Sequence, residues 1–192
     1  MEKRGLAEAL LAQEVSQADE IMHSDEMRFG LWGQVRRRWG RKGVKIIQKV
    51  QIEFAWEYLV LAINVATSEL KWAWSARMNQ EHLMPIFADW QPDVVIWDGA
   101  SAHRGKEMGK LAFIRIALPS YSPELNPAER VFEHIRGKIE GEVYPSLSAK
   151  RHAIEQILRY LNANKQQLKQ LIGWQWIQDN FQKLPDESTR CI

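Results

Sequence analysis

The chain has 192 residues, 45% hydrophobic and 26% charged, with a formal net charge of +2. That describes one globular domain with a real core and excludes a disordered or fibrous protein. No apolar run approaches the ~20 residues of a membrane span. The start, MEKRGLAEALLAQEV, is expected to form an amphipathic helix and not a signal peptide. The single cysteine, Cys191, has no partner for a disulfide, which fits a reducing, cytoplasmic setting.

In chain order, residues 2–17 are expected to be helical. Glu20–Leu31 and Val44–Glu53 are expected to be strands on either side of a basic loop. Tyr58–Ala66 (YLVLAINVA) has the apolar, β-branched character of a central strand, and Leu70–Ala76 alternates with period two. Asn79 is placed to cap a helix running toward Trp90, with Pro85 restarting or kinking it. Asp93–Asp98 (DVVIWD) is a short apolar strand closed by an acid. A short helix around Lys106–Leu111 leads to a strand over Phe113–Leu118. A helix from Pro127 to about Ile139 precedes a long amphipathic helix from Ser148, with Ile154, Ile157, Leu158 and Leu161 on one face. Strands early and helices late predict an α/β domain with a mixed sheet.

The charge is unevenly spread. Between Arg28 and Lys49 stand eight basic residues and no acid. Arg36, Arg37, Arg38, Arg41, Lys42 and Lys45 form the densest part, either a solvated positive face or a surface for nucleic-acid phosphates. Trp32 and Trp39 flank the arginines as core or base-stacking residues, with core the expectation.

Three acids stand at structurally marked places. Asp98 ends an apolar strand, where ligands sit in open α/β sheets, or alternatively caps the Gly99 loop. Asp25 lies in a segment fit for burial, or on an edge strand facing water. A buried carboxylate needs a base, a donor or a metal as partner. Glu129 lies in the stretch LPSYSPELNPAER, with Asn126 as N-cap and Pro127 at the first helical position. A capping box would explain Asn-Pro-x-Glu. It would not explain Pro119 and Pro123, whose rigidity suits a glutamate delivered to a fixed point, as a metal ligand must be.

LPSYSPELNPAERVF, VVIWDGASAH and SDEMRFGL together resemble signature segments of the mariner-like DDE transposases, in their bacterial insertion-sequence branch. The resemblance covers roughly residues 20–139 and implies an RNase H-like fold, a mixed sheet flanked by helices. It implies Asp25, Asp98 and Glu129 as the catalytic acids, the last two 31 positions apart and so somewhat closer than the family habit. Three such carboxylates, expected within roughly 4–8 Å of one another, would hold two Mg²⁺ (or Mn²⁺) ions for in-line phosphoryl displacement, first by water and then by a freed 3′-OH. His103 matches the family's histidine and is either an orienting group or a plain loop residue. Glu133, one turn beyond Glu129, could substitute for it or pair with Arg136. Glu26 should point to the face opposite Asp25. Phe132 replaces the family's usual Trp.

The implied activity is DNA strand cleavage and transfer in cut-and-paste transposition, on transposon ends and target DNA, by a homodimer in a bacterial cytoplasm at the nucleoid. Relatives carry a helix-turn-helix region before the catalytic domain. Only about 20 residues precede the first strand here, so that region is expected on a separate chain or segment. The expected organisation is an N-terminal helix (1–19), the catalytic domain (20–145) and a helical extension packed on it (146–192). Two other readings stay open: a stand-alone RNase H-like nuclease, which would use the same acids without the proline-rich turn, and a non-catalytic DNA-binding or assembly module, which would be expected to have lost an acid.

Overall fold

A computed structural model describes residues 5–33, 39–119 and 122–186. Helix α1 (Gly5–Leu11) leads into strand β1 (Ile21–Gly30). Strands β2 (Trp56–Asn64) and β3 (Glu69–Ser75) follow, then α2 (Gln80–Trp90), β4 (Val94–Trp97) and β5 (Ile114–Ala117). Among the described residues four α-helices follow: α3 (Pro127–Ile139), α4 (Leu147–Ala163), α5 (Lys165–Ile172) and α6 (Gln175–Phe181). Among the described residues the sheet has five strands in the order β3-β2-β1-β4-β5. β1 pairs antiparallel with β2 and parallel with β4, which pairs parallel with β5. This is the mixed sheet of an RNase H-like fold, with β1 at its centre.

Two buried faces explain the composition of the strands. Leu59, Leu61 and Ile63 of β2 pack with Val131, Phe132 and Ile135 of α3 and with Ile154, Leu158 and Leu161 of α4. Their neighbour Val60 points the other way, joining Val95 and Trp97 of β4 against Leu83 and Phe87 of α2. A strand covered on both sides reads as a continuous apolar run, which is why β2 and β4 were plain in the sequence. Helices α1 and α6 meet where Asn180 of α6 accepts the Ala7 N–H of α1 at 3.0 Å. Among the described residues no helix is long and apolar enough to cross a membrane.

Some expectations need correction. Val44–Glu53 forms no strand: residues 39–55 have no regular structure, and Val44, Ile47, Ile52 and Phe54 are exposed. A strand needs a neighbouring ladder and a face to bury, and among the described residues this segment has isolated bonds such as Gly33 N–H to Gln51 O in place of a ladder. Trp32 and Trp39 are exposed, not core, although Trp32 rests on Phe54 with ring centroids 4.7 Å apart. Helix α1 stops at Leu11, short of residue 17, and Glu14 turns the chain with φ 57°. The expected helix over Lys106–Leu111 is only a 3₁₀ turn, Met108–Lys110, with another at Ser101–Arg104. The long helix begins at Leu147, capped by Ser146, whose Oγ accepts the Ala149 N–H at 3.1 Å. Asn79 caps α2 as expected, accepting the His82 N–H, and the helix continues through Pro85.

Central strand β1 also buries a histidine. His23 is 0% exposed, its two ring nitrogens lack hydrogen-bond partners among the described residues, and its ring lies beside Phe181. Burial pushes the imidazole from 6.5 down to about 3. Between those values the unfolded chain binds a proton that the folded chain refuses, so stability is lost as pH falls through that window. Urea unfolding at pH 7 and pH 5 should show the wild type losing about 2 kcal/mol more than His23→Leu over that interval. Equal losses would mean that His23 is protonated in the folded state.

Candidate active site

Asp25 sits halfway along the central strand, not on an edge. Its register partner is Leu61, so it shares the face covered by α3, while Glu26, opposite Val60, points to the α2 face. The parallel ladder pairs Ile21 with Val94, Met22 with Val95 and His23 with Ile96. Continued two residues further, that register sets Asp98 level with Asp25, just past the end of β4. The crevice beyond the carboxyl ends of parallel strands is where such sheets bind ligands.

Glu129 arrives from the other side. Asn126 is buried and does three things: its Oδ1 accepts the Ala128 N–H and caps α3, while its Nδ2 donates to Ser24 O at 3.0 Å and to Asp25 Oδ2 at 3.3 Å. One side chain thus ties the start of α3 to the middle of β1. The Asn126 N–H donates to Pro123 O, so the capping box that Glu129 could have formed is not made. Glu129 Oε2 lies instead 3.7 Å from Arg136 Nη1. Asp25, Asp98, Pro119, Pro123, Asn126 and Glu129 line one cleft of about 460 Å³.

The electrostatics of this cleft are strained. The Asp25 carboxyl is pushed up to about 7, first by burial, then by the charges of Glu26, Glu129 and Asp98, against a hydrogen bond from the Glu26 N–H. Carboxylates crowded in this way favour a proton or a cation among them. Among the described residues no three His, Cys, Asp or Glu side chains stand close enough to form a ready metal cluster, short of the convergence expected from sequence. Asp98 Oδ1 is turned onto His103 Nδ1 at 3.0 Å and Glu129 onto Arg136. The donor set nonetheless suits a hard divalent cation: three carboxylates from three elements, with too much negative charge for their surroundings.

His103 is no plain loop histidine. It is buried, stacked on Trp97, and set between Glu26 and Asp98. Burial pulls its imidazole down, but the hydrogen bond and charge of Glu26, followed by Asp98, outweigh this and leave it raised. Sequence reading placed Glu26 on the correct face without finding this partner, which lies 77 positions away. Glu133 does not pair with Arg136; it is 66% exposed and lies 3.4 Å from Arg130. Phe132 is fully buried in the core beneath α3. Arg36, Arg37 and Arg38, like Cys191, lie outside the described residues, whereas Arg41, Lys42 and Lys45 are exposed along the irregular segment after β1.

Solved structures with this fold include the Mos1 mariner paired-end complex with Mn, with a TM-score of 0.60 and 12% identity over 93% of this chain and 61% of that one. The Mos1 strand transfer complex gives 0.58 and 13% over 89% and 59%. The pre-cleavage Mos1 transpososome gives 0.57 and 12% over 89% and 60%. At such identities the likeness is one of fold, and the chain spans about 60% of the length of that last relative. No curated protein sequence matches the chain. Residues 20–151, most of its length and all three acids included, match the family model for the DDE superfamily endonuclease, and the chain belongs to that family.

Proposed function

We propose that the chain is the catalytic domain of a DDE transposase of the bacterial insertion-sequence branch, cutting DNA at element ends and joining the freed 3′-OH to target DNA. The observation that carries this reading is the single cleft lined by carboxylates from β1, from the end of β4 and from the first turn of α3. Asp25, Asp98 and Glu129 would hold two Mg²⁺ or Mn²⁺ ions. The chemistry such ions supply when bound is activation of an attacking oxygen and neutralisation of charge on the leaving oxygen of an in-line displacement. Asn126 holds Asp25 in place, and Pro119 and Pro123 restrict the loop that delivers Glu129. The Asp25 carboxyl, carrying a proton up to about pH 7, would release it when a cation binds. The Mos1 complexes were solved with Mn and with Mg, which supports a divalent cofactor by likeness of fold.

DNA would reach the cleft past the basic segment after β1, whose Arg41, Lys42 and Lys45 are exposed and irregularly placed, as suits phosphate contact without base readout. Sequence recognition and the second copy of a working dimer would come from a helix-turn-helix region and partner outside these residues, in the bacterial cytoplasm.

Two outcomes check this reading. Asp98→Asn and Glu129→Gln should each lower Mg²⁺-dependent strand cleavage by more than about a hundredfold, since loss of an outer-shell partner alone costs ~10–100-fold. Thermal melting should be unchanged, because the Glu129 carboxylate does not cap α3. Full cleavage by Glu129→Gln would remove Glu129 from the site. Replacing Arg41, Lys42 and Lys45 together by Gln should flatten the dependence of log affinity for random duplex DNA on log salt by up to about three units, near 0.9 per lost phosphate contact. An unchanged slope would place the DNA surface elsewhere.

A further inference from the structure

Glu26 is a carboxylate with 1% of its side chain exposed, on the sheet face that carries Val60, Val95 and Trp97. A charge so buried is retained only with a partner. Its two oxygens lie 3.1 and 3.2 Å from His103 Nε2. The other ring nitrogen, Nδ1, lies 3.0 Å from Asp98 Oδ1 and 3.3 Å from the Asp98 carbonyl oxygen. The ring lies flat on Trp97, centroids 4.3 Å apart and planes 6° from parallel, which supports it edge-on between the two carboxylates. Asp98 itself is 55% exposed, just past the end of its strand. An aspartate in that position would sample several rotamers without a fixed neighbour.

We propose that Glu26 and His103 are positioning residues for Asp98. Glu26 anchors the imidazole from inside the sheet, and the imidazole holds Asp98 Oδ1, leaving Oδ2 as the oxygen presented to a cation in the cleft. The Ala100 N–H, donating to the same Oδ1 at 3.0 Å, completes the clamp. The chain therefore carries two acids side by side on β1 for different purposes: Asp25 faces the cleft, and Glu26 acts through His103 on Asp98, the acid at the end of β4. This inference rests on the proposed metal-binding role of the cleft.

The test measures Mn²⁺ binding to the full chain without DNA, by electron paramagnetic resonance of the free ion, beside thermal melting. Asp98→Asn serves as the reference for a lost ligand. His103→Leu should weaken Mn²⁺ binding by about 10–100-fold. His103→Asn, whose amide nitrogen can stand where Nδ1 stands, should recover most of that loss although its link to Glu26 is gone. Glu26→Gln should lie between wild type and His103→Leu. If His103→Leu fails to fold, the Glu26→Gln and His103→Asn values carry the comparison. Wild-type affinity in both His103→Leu and Glu26→Gln, with Asp98→Asn impaired, would overturn the positioning role and leave the metal site standing. Equal binding by wild type and Asp98→Asn would remove the metal site and the positioning role together.

Discussion

The structure depends on one constraint: strand β1 runs through the middle of the sheet and carries two adjacent carboxylates. Period two sends Asp25 to one face and Glu26 to the other, and both faces are covered. Neither charge can be left alone at such a position, so each face must supply a polar answer. On the α3 side the answer is Asn126 and the Glu26 amide, both donating to the Asp25 carboxylate. On the α2 side it is His103. The loops after β4 and β5 are shaped by these two demands.

Seen in this way, the proline-rich turn before α3 and the 3₁₀ turn after β4 have matching tasks. The first seats Asn126, which caps a helix and touches β1 in one stroke, and so fixes where Glu129 stands. The second folds His103 back over Trp97 until it reaches across to β1. Both loops close on the same strand from opposite faces, and Asp98 lies between them. Family membership rests on the match over residues 20–151 and the likeness to Mos1 on the fold, while the charge crowding at Asp25 is a property of this chain's own residues.

Much of this was legible in the sequence for identifiable reasons. β2 and β4 were plain because burial on both faces leaves an unbroken apolar run, and α3 because Asn-Pro is a start signal with a mechanism. The three acids could be named from their motifs. The choice between a capping box and a cleft for Glu129 could not be made, since it turned on where the Asn126 N–H goes, and Pro123 O takes it. Residues 44–53 read as a strand, yet among the described residues no ladder forms along them, which local sequence cannot report. Glu26 and His103 met only through the parallel pairing of β1 with β4, a long-range contact with no local trace.

We propose that Asp25, Asp98 and Glu129 share one divalent-metal site. Anomalous diffraction from crystals of the chain soaked in Mn²⁺ tests it most directly. Anomalous peaks are expected in the cleft, with ligand oxygens from all three residues and Glu129 drawn off Arg136. Ordered density for the three carboxylates with no peak among them, or a peak held by other residues, would contradict it.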